Sequence, residues 1–106
     1  MKIKYSKDSS ERLESIKQIN GINIVTSIVH AIDGLLDNPK KCPSIEGMIG
    51  IPSPYRFLHI YHYYVFYRID SNIIYIVNIY HERENFFGKL LGLNLRSRES
   101  IDYWGE

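Results

Sequence analysis

One cysteine, Cys42, stands in 106 residues, so this chain has neither an internal disulfide nor a paired-thiolate metal centre available to it. No charge of one sign prevails: 13 Lys and Arg are set against 12 Asp and Glu, for a formal net charge of +1. That balance excludes a polycation that coats nucleic acid, and leaves only a local basic patch open. No apolar run approaches the roughly 20 residues that cross a bilayer, so no membrane helix is expected. The opening MKIKYSKDSSERLESIKQ lacks the apolar stretch of a secretory signal. With the scarcity of cysteine, this gives the expectation of a cytoplasmic protein. Repeats and low-complexity tracts are absent. So are a Walker A sequence, a dinucleotide fingerprint, paired-cysteine spacing and HExxH, and neither a cofactor nor a metal is expected.

What is present is an ordinary globular composition: 44% hydrophobic, 13% aromatic and 24% charged residues. A disordered chain would carry fewer Ile, Leu and Tyr and more net charge. The length suits one core. A single domain is expected over residues 1–92, followed by a polar C-terminal extension, 93–106.

Residues 2 to 6 alternate polar and apolar, putting Ile3 and Tyr5 on one face of a short strand. Asp8 is then positioned to cap a helix, with Glu11 in capping-box spacing. Leu13, Ile16 and Ile19 form a narrow helical stripe that ends at Asn20-Gly21. A second helix follows over residues 22 to 37. Its Ile24, Val25, Ile28, Val29, Ile32, Leu35 and Leu36 make one broad apolar face, and Asn38-Pro39 stops it. Residues 38 to 54 hold all four prolines and two of the seven glycines; they read as a surface loop, long enough to be functional or mobile. From Tyr55 the pattern turns to strand: Arg56 to Ile60, Tyr63 to Ile69 and Ile73 to Tyr80. Asp70-Ser71-Asn72 is good turn chemistry between the last two, and Tyr61-His62 is not. The third run is apolar on both faces except at Asn78, as a central strand would be. Phe86, Phe87, Leu90 and Leu91 give a short helix or packed turn. Three consecutive strands with short turns must be antiparallel, and an apolar helical hairpin needs a sheet face to cover it. The fold class is α+β in two layers: N-terminal strand, helical hairpin, then three antiparallel strands in a twisted sheet.

The polar residues worth weighing cluster in and after the strands. His59 and His62 invite a metal reading, but zinc wants three or four ligands, and a pair straddling a turn is more simply solvated. His81-Glu82-Arg83 offers a base, an acid and an anion binder; the plainer reading is a strand end where buried positions give way to solvent. Tyr67 and Tyr75 alternate with apolar residues and read as core-facing or cross-strand partners. Tyr61, Tyr63 and Tyr80 are candidates for stacking on bases, although strand aromatics are more often structural. Cys42 reads as incidental.

The stretch from Tyr55 to Arg83, YRFLHIYHYYVFYRIDSNIIYIVNIYHER, resembles the RelE/ParE superfamily of toxins from type II toxin–antitoxin systems. The points of likeness are Arg56 at the opening of one strand, Tyr63 with Tyr67 in the next, the β-branched run from Ile73 to Ile79, and His81 with Arg83 at its end. The opening MKIKYSKDSSERLESI and the helix end LLDNP fit as well, so the resemblance covers residues 1 to about 91. It implies a RelE/ParE-like fold, a cognate antitoxin that wraps and silences the toxin, and a toxin–antitoxin hetero-oligomer.

Two activities follow from the resemblance. ParE-like members bind DNA gyrase and trap its cleaved DNA complex without being enzymes; RelE-like members enter the ribosome and cut mRNA. Tyr64 stands where the RNA-cutting branch carries an arginine, and a net charge of +1 is weak for docking on RNA phosphates. The gyrase poison is therefore the favoured expectation and the mRNA interferase the alternative. On the first, Arg56, His59, Tyr61, His62, Tyr80 and Glu82 are the target-binding candidates. On the second, Arg56, His81 and Arg83 would be catalytic. Ile28, Leu35, Phe86, Phe87 and Leu90 are the candidates for contact with the antitoxin.

Overall fold

A lysine–apolar alternation makes β1, Lys2–Tyr5, in a computed structural model that describes residues 1–50 and 52–84. The helical hairpin follows as α1, Lys7–Asn20, and α2, Ile22–Asp33, the latter prolonged by a 3-10 turn over Gly34–Leu36. A short α3, Ile45–Ile49, precedes β2, Tyr55–Ile60, β3, Tyr63–Asp70, and β4, Ile73–His81. The expected helix or packed turn at Phe86–Leu91 and the extension 93–106 lie outside the described residues.

The four strands form one sheet in the order β1-β4-β3-β2. As expected, β2, β3 and β4 are antiparallel and β4 is internal; β1 joins it in parallel, with Ile3 beside Ile74 and Tyr5 beside Ile76. The hairpin covers one face. Ile16, Ile28, Ile32 and Leu35 pack there on Val65, Tyr67, Ile74, Ile76 and Ile79. Burial of this aliphatic layer, at about 25 cal/mol per Å2 of apolar surface, is the main force holding the two layers together.

β4 is apolar at both parities because it contains a bulge. Phe66 opposes Asn78 while Tyr67 opposes Ile76, so Val77 is the extra residue and the facing side chains change parity across it. Ile74 and Ile76 below the bulge and Ile79 above it thereby reach the same core. The start of α1 fastens this point. Ser6 donates from its backbone N–H to the Ile76 carbonyl at 3.0 Å and from its hydroxyl to the Val77 carbonyl at 2.7 Å.

That fastening moves the helix cap from the expected Asp8 to Ser6. Ser6 keeps an extended backbone, φ −69° and ψ 163°, and its hydroxyl accepts from the Ser9 N–H. Asp8 lies inside the first turn, where its charge suits the helix dipole. Gly21, at φ 93°, makes the turn between α1 and α2, a conformation that residues with a Cβ rarely adopt. The other turn, Tyr61-His62, puts Tyr61 at φ 55°. It forms despite its chemistry because the paired strands on both sides determine it.

The stretch 38–54 is more than a surface loop. Cys42 and Ile45 are buried in it, at 8% and 0% exposure. α3 is capped by the Ser44 hydroxyl, which accepts from the Gly47 N–H at 3.0 Å, and stops at Gly50 in the left-handed conformation. Ile45 packs with Phe66 and Tyr80 on the sheet face away from the hairpin, where Tyr55, Phe57 and Tyr64 join them.

Candidate functional site

The two-residue turn between β2 and β3 brings the ends of three strands together. His59 on β2 lies opposite Tyr64 on β3, which lies opposite Tyr80 on β4. The His59 ring stacks on Tyr64 with centroids 4.4 Å apart. Beyond β4, the backbone N–H of Glu82 donates to the His62 carbonyl at 2.8 Å, carrying the pairing one residue past the strand. Both histidines then converge on Glu82: His62 Nδ1 is 3.0 Å from Oε2 and His59 Nε2 is 3.4 Å from Oε1. The hydrogen bond to His62 chiefly, with that to His59, holds the Glu82 carboxyl below the ordinary glutamate value, against an opposing effect of desolvation.

The turn that follows is stitched by its own hydrogen bonds. Nδ1 of His81 accepts from the Arg83 N–H at 3.1 Å, which leaves Nε2 as the nitrogen with which His81 would meet a substrate or partner. The His81 N–H donates to Glu84 Oε1 at 2.8 Å, and Glu84 Oε2 takes the Arg12 guanidinium of α1 at 3.0 Å. The imidazole of His81 stands edge-on to Tyr63, 5.2 Å between centroids, and 6.1 Å from that of His62. The chemistry assembled here is three imidazoles, one exposed carboxylate, the exposed Arg83 and the exposed Tyr61 ring. No group of His, Cys, Asp and Glu suited to a metal ion occurs among the described residues.

Four of the candidates drawn from the sequence, His59, Tyr61, His62 and Glu82, thus share one surface, with His81 and Arg83 at its border. Two target-binding candidates do not join them. Tyr80 is on the same row but only 6% exposed, its hydroxyl 3.0 Å from Asn78 Nδ2, so its ring is a core element and not a free stacking platform. Arg56 is at the far end of the sheet. It pairs with Tyr67, itself opposite Ile76, whereas His81 is in line with Tyr63 and Ile60. The offset between Arg56 and His81 is roughly 13 Å along the strands and about 10 Å across them.

Arg56 has another task. Its Nη1 donates to the Cys42 carbonyl at 2.8 Å, with the Lys40 carbonyl at 3.4 Å, while the Tyr67 hydroxyl donates to the Pro39 carbonyl at 2.7 Å. Burial first, and the Cys42 side chain second, push the Tyr67 phenol well above its ordinary range, against the opposite effects of the Arg56 charge and the Cys42 backbone. The pair ties the proline-rich stretch to the sheet, and Cys42, read as incidental, supplies both a core side chain and the carbonyl that receives Arg56. Of the antitoxin candidates, Ile28 and Leu35 are fully buried between helix and sheet. They belong to the core and cannot be presented to a partner without opening it. Phe86, Phe87 and Leu90 lie outside the described residues. The large apolar side chains that α1 and α2 do expose are Ile19 and Ile22, at 80% and 55%, on either side of the Gly21 turn.

A strand, a helical hairpin and an antiparallel meander with a histidine-rich strand end define the class of small two-layer α+β domains. Within that class, the family described as the ParE toxin of type II toxin-antitoxin system, parDE, matches residues 3–86, and the chain belongs to it. Membership brings with it a cognate antitoxin as partner. Comparison with curated proteins gives no significant match. Among the described residues, no helix is long and apolar enough to cross a membrane.

Proposed function

We propose that this chain acts as a ParE-like poison of DNA gyrase, trapping the cleaved DNA complex by binding and not by catalysis. The observation that carries the choice is the separation of Arg56 from His81 and Arg83. Cutting RNA requires a base for the 2′-hydroxyl, an acid for the leaving oxygen and a cation for the phosphorane, all within reach of one phosphate. An arginine committed to the Cys42 carbonyl at the other end of the sheet does not serve that phosphate. Tyr64, stacked on His59 where the RNA-cutting branch carries an arginine, does not supply the missing cation. In this reading His59, Tyr61, His62 and Glu82 form the gyrase-facing surface, and the antitoxin covers Phe86, Phe87 and Leu90.

Purified toxin freed from its antitoxin is expected to inhibit gyrase supercoiling and accumulate cleaved DNA. Tyr61→Ala and the double change His59→Ala with His62→Ala should weaken this at least tenfold without loss of fold. Messenger RNA in stalled ribosomes should stay intact. Site-specific cutting of that RNA, abolished by Arg83→Ala and accompanied by unaffected gyrase, would overturn the proposal in favour of the interferase.

A further inference from the structure

The sheet face away from the hairpin carries a second arrangement, remote from the histidine cluster. One row of directly opposed residues runs across all four strands: Lys4 on β1 beside Tyr75 on β4, Tyr75 opposite Arg68 on β3, and Arg68 opposite Tyr55 on β2. Residues so paired share a face, and the neighbours of Lys4 on β1, Ile3 and Tyr5, point the other way into the hairpin core. The row therefore reads cation, aromatic, cation, aromatic. The Arg68 guanidinium lies over the Tyr75 ring at 4.8 Å. Among the described residues neither Lys4 nor Arg68 enters an ion pair. Lys2 adds a third cation on the same side of β1, and Asp70 is the one acidic strand residue of that face. A groove of about 370 Å3 opens beside the row, lined by Lys4, Ser6, Arg68 and Tyr75 among others.

We propose that this row is a binding strip for the phosphodiester backbone of single-stranded nucleic acid. The occupant follows from the chemistry. A guanidinium held over a tyrosine ring is restricted in its motion, and its N–H groups can make two-pronged contact with a phosphate. Lys4, two strands away, offers a mobile point charge to a second phosphate. Tyr75 between the cations and Tyr55 at the end of the row are only half-buried, and the ring surface they leave open is where unpaired bases can stack, the combination that nucleic-acid grooves use when they read no sequence. The overall charge of +1 does not argue against this, because cations gather on the row with Asp70 alone among the strand carboxylates beside them, while Glu11 is engaged by Lys7 and Glu84 by Arg12. The proposal does not rest on the choice between gyrase and ribosome, since strands of DNA or RNA are present at either target.

The test is fluorescence anisotropy of a labelled 12-nucleotide strand, as DNA and as RNA of the same sequence, with the full chain at several salt concentrations. Two phosphate contacts on a single strand give a log–log salt slope of about −1.4, or roughly a sevenfold loss between 50 and 200 mM salt. Lys4→Gln and Arg68→Gln are each expected to flatten the slope by about 0.7, and together to weaken binding at least tenfold. Lys17→Gln with Lys40→Gln, which removes the same charge away from the row, should leave it unchanged. Lys4 is exposed, so its variant stays informative even if Arg68→Gln alters the fold, which thermal melting will report. The strand bound more tightly, DNA or RNA, names the physiological source. No binding at 50 mM salt, or equal losses in the control variant, would overturn the proposal.

Discussion

Under the helical hairpin the sheet carries Val65, Tyr67, Ile74, Ile76 and Ile79; on its other face the same strands carry Phe57, Tyr64, Phe66 and Tyr80, with Tyr75, Arg68 and Asn78 among them. Mostly branched aliphatic side chains interlock with the helices on that face, and the Tyr67 hydroxyl at its edge is satisfied by the Pro39 carbonyl, so that face is closed chiefly by packing. The aromatic face has rings with polar tips and is plugged from above by one fully buried side chain, Ile45 of α3. Its margins keep the groups that can meet another molecule: the histidine cluster at one end and the Lys4–Tyr75–Arg68–Tyr55 row at the other. Under the two proposals made above, one strand set serves stability on one side and recognition on the other, and the bulge at Val77 lets β4 contribute to both faces.

The division predicts unequal consequences of damage. Ile32, fully buried in α2, is the sharpest probe of the hairpin face. Ile32→Asp would bury an unpaired charge and should cost about 3 kcal/mol or more, enough to unfold a domain of this size. Chemical denaturation monitored by circular dichroism checks this; an unchanged midpoint would remove α2 from the core. On the other face Ile45→Ala should cost about 2–5 kcal/mol by leaving a cavity over Phe66 and Tyr80. If the faces are as distinct as described, the Ile45 variant still folds and keeps its hairpin, and near-ultraviolet circular dichroism from the aromatic face changes more than the helical signal does. Equal loss of both signals at the same denaturant concentration would mean that the two faces form one cooperative unit.

At the junction between the layers stands Ser6, which caps α1 and bonds the bulge. Ser6→Ala should cost about 1–2 kcal/mol, more than a cap alone, because the Val77 carbonyl loses its partner. Ser6→Thr, which keeps the hydroxyl, should recover most of it. Thermal melting distinguishes the two, since 1 kcal/mol moves the midpoint of a domain this small by about 4–8 °C.

Much of this was legible before the structure. Helix periodicity located the hairpin face because Ile28, Ile32 and Leu35 repeat at helical steps, and the β-branched runs located three antiparallel strands. The bulge was not legible: a run such as Ile73-Ile74-Tyr75-Ile76-Val77 has no polar residue to mark which parity faces the core. The plug was hidden by composition, since a proline-rich stretch reads as surface and gives no sign that Ile45 turns inward. The cap shifted by two residues because Ser6 answers to the β4 backbone, a tertiary contact. The convergence of His59 and His62 on Glu82 depends on strand register across a turn of poor chemistry. By contrast, the failure of Arg56 to meet Arg83 follows from the antiparallel meander itself, which puts the start of β2 and the end of β4 at opposite ends of the sheet.

The smallest expected effect, and the finest test of the recognition side, is the titration of Glu82. Its carboxyl is held below the ordinary value of 4.5, mainly by His62. A group whose folded value is depressed stabilises the folded state above its unfolded value, and that contribution is lost as pH falls through the folded value. The window therefore lies below about pH 4.5 and not near neutrality. Carbon-13 NMR of the Glu82 carboxyl should show a midpoint below that of an unstructured glutamate, moving up in His62→Ala and by less in His59→Ala, whose contact is longer. The melting midpoint at neutral pH should hardly change in either variant, because an exposed ion pair contributes little there. An identical Glu82 midpoint in wild type and His62→Ala would show that the imidazole does not engage the carboxylate in solution. The strand end would then be a set of independent solvated side chains, and the contrast between a closed face and a recognition face would rest on the Lys4–Tyr75–Arg68–Tyr55 row alone.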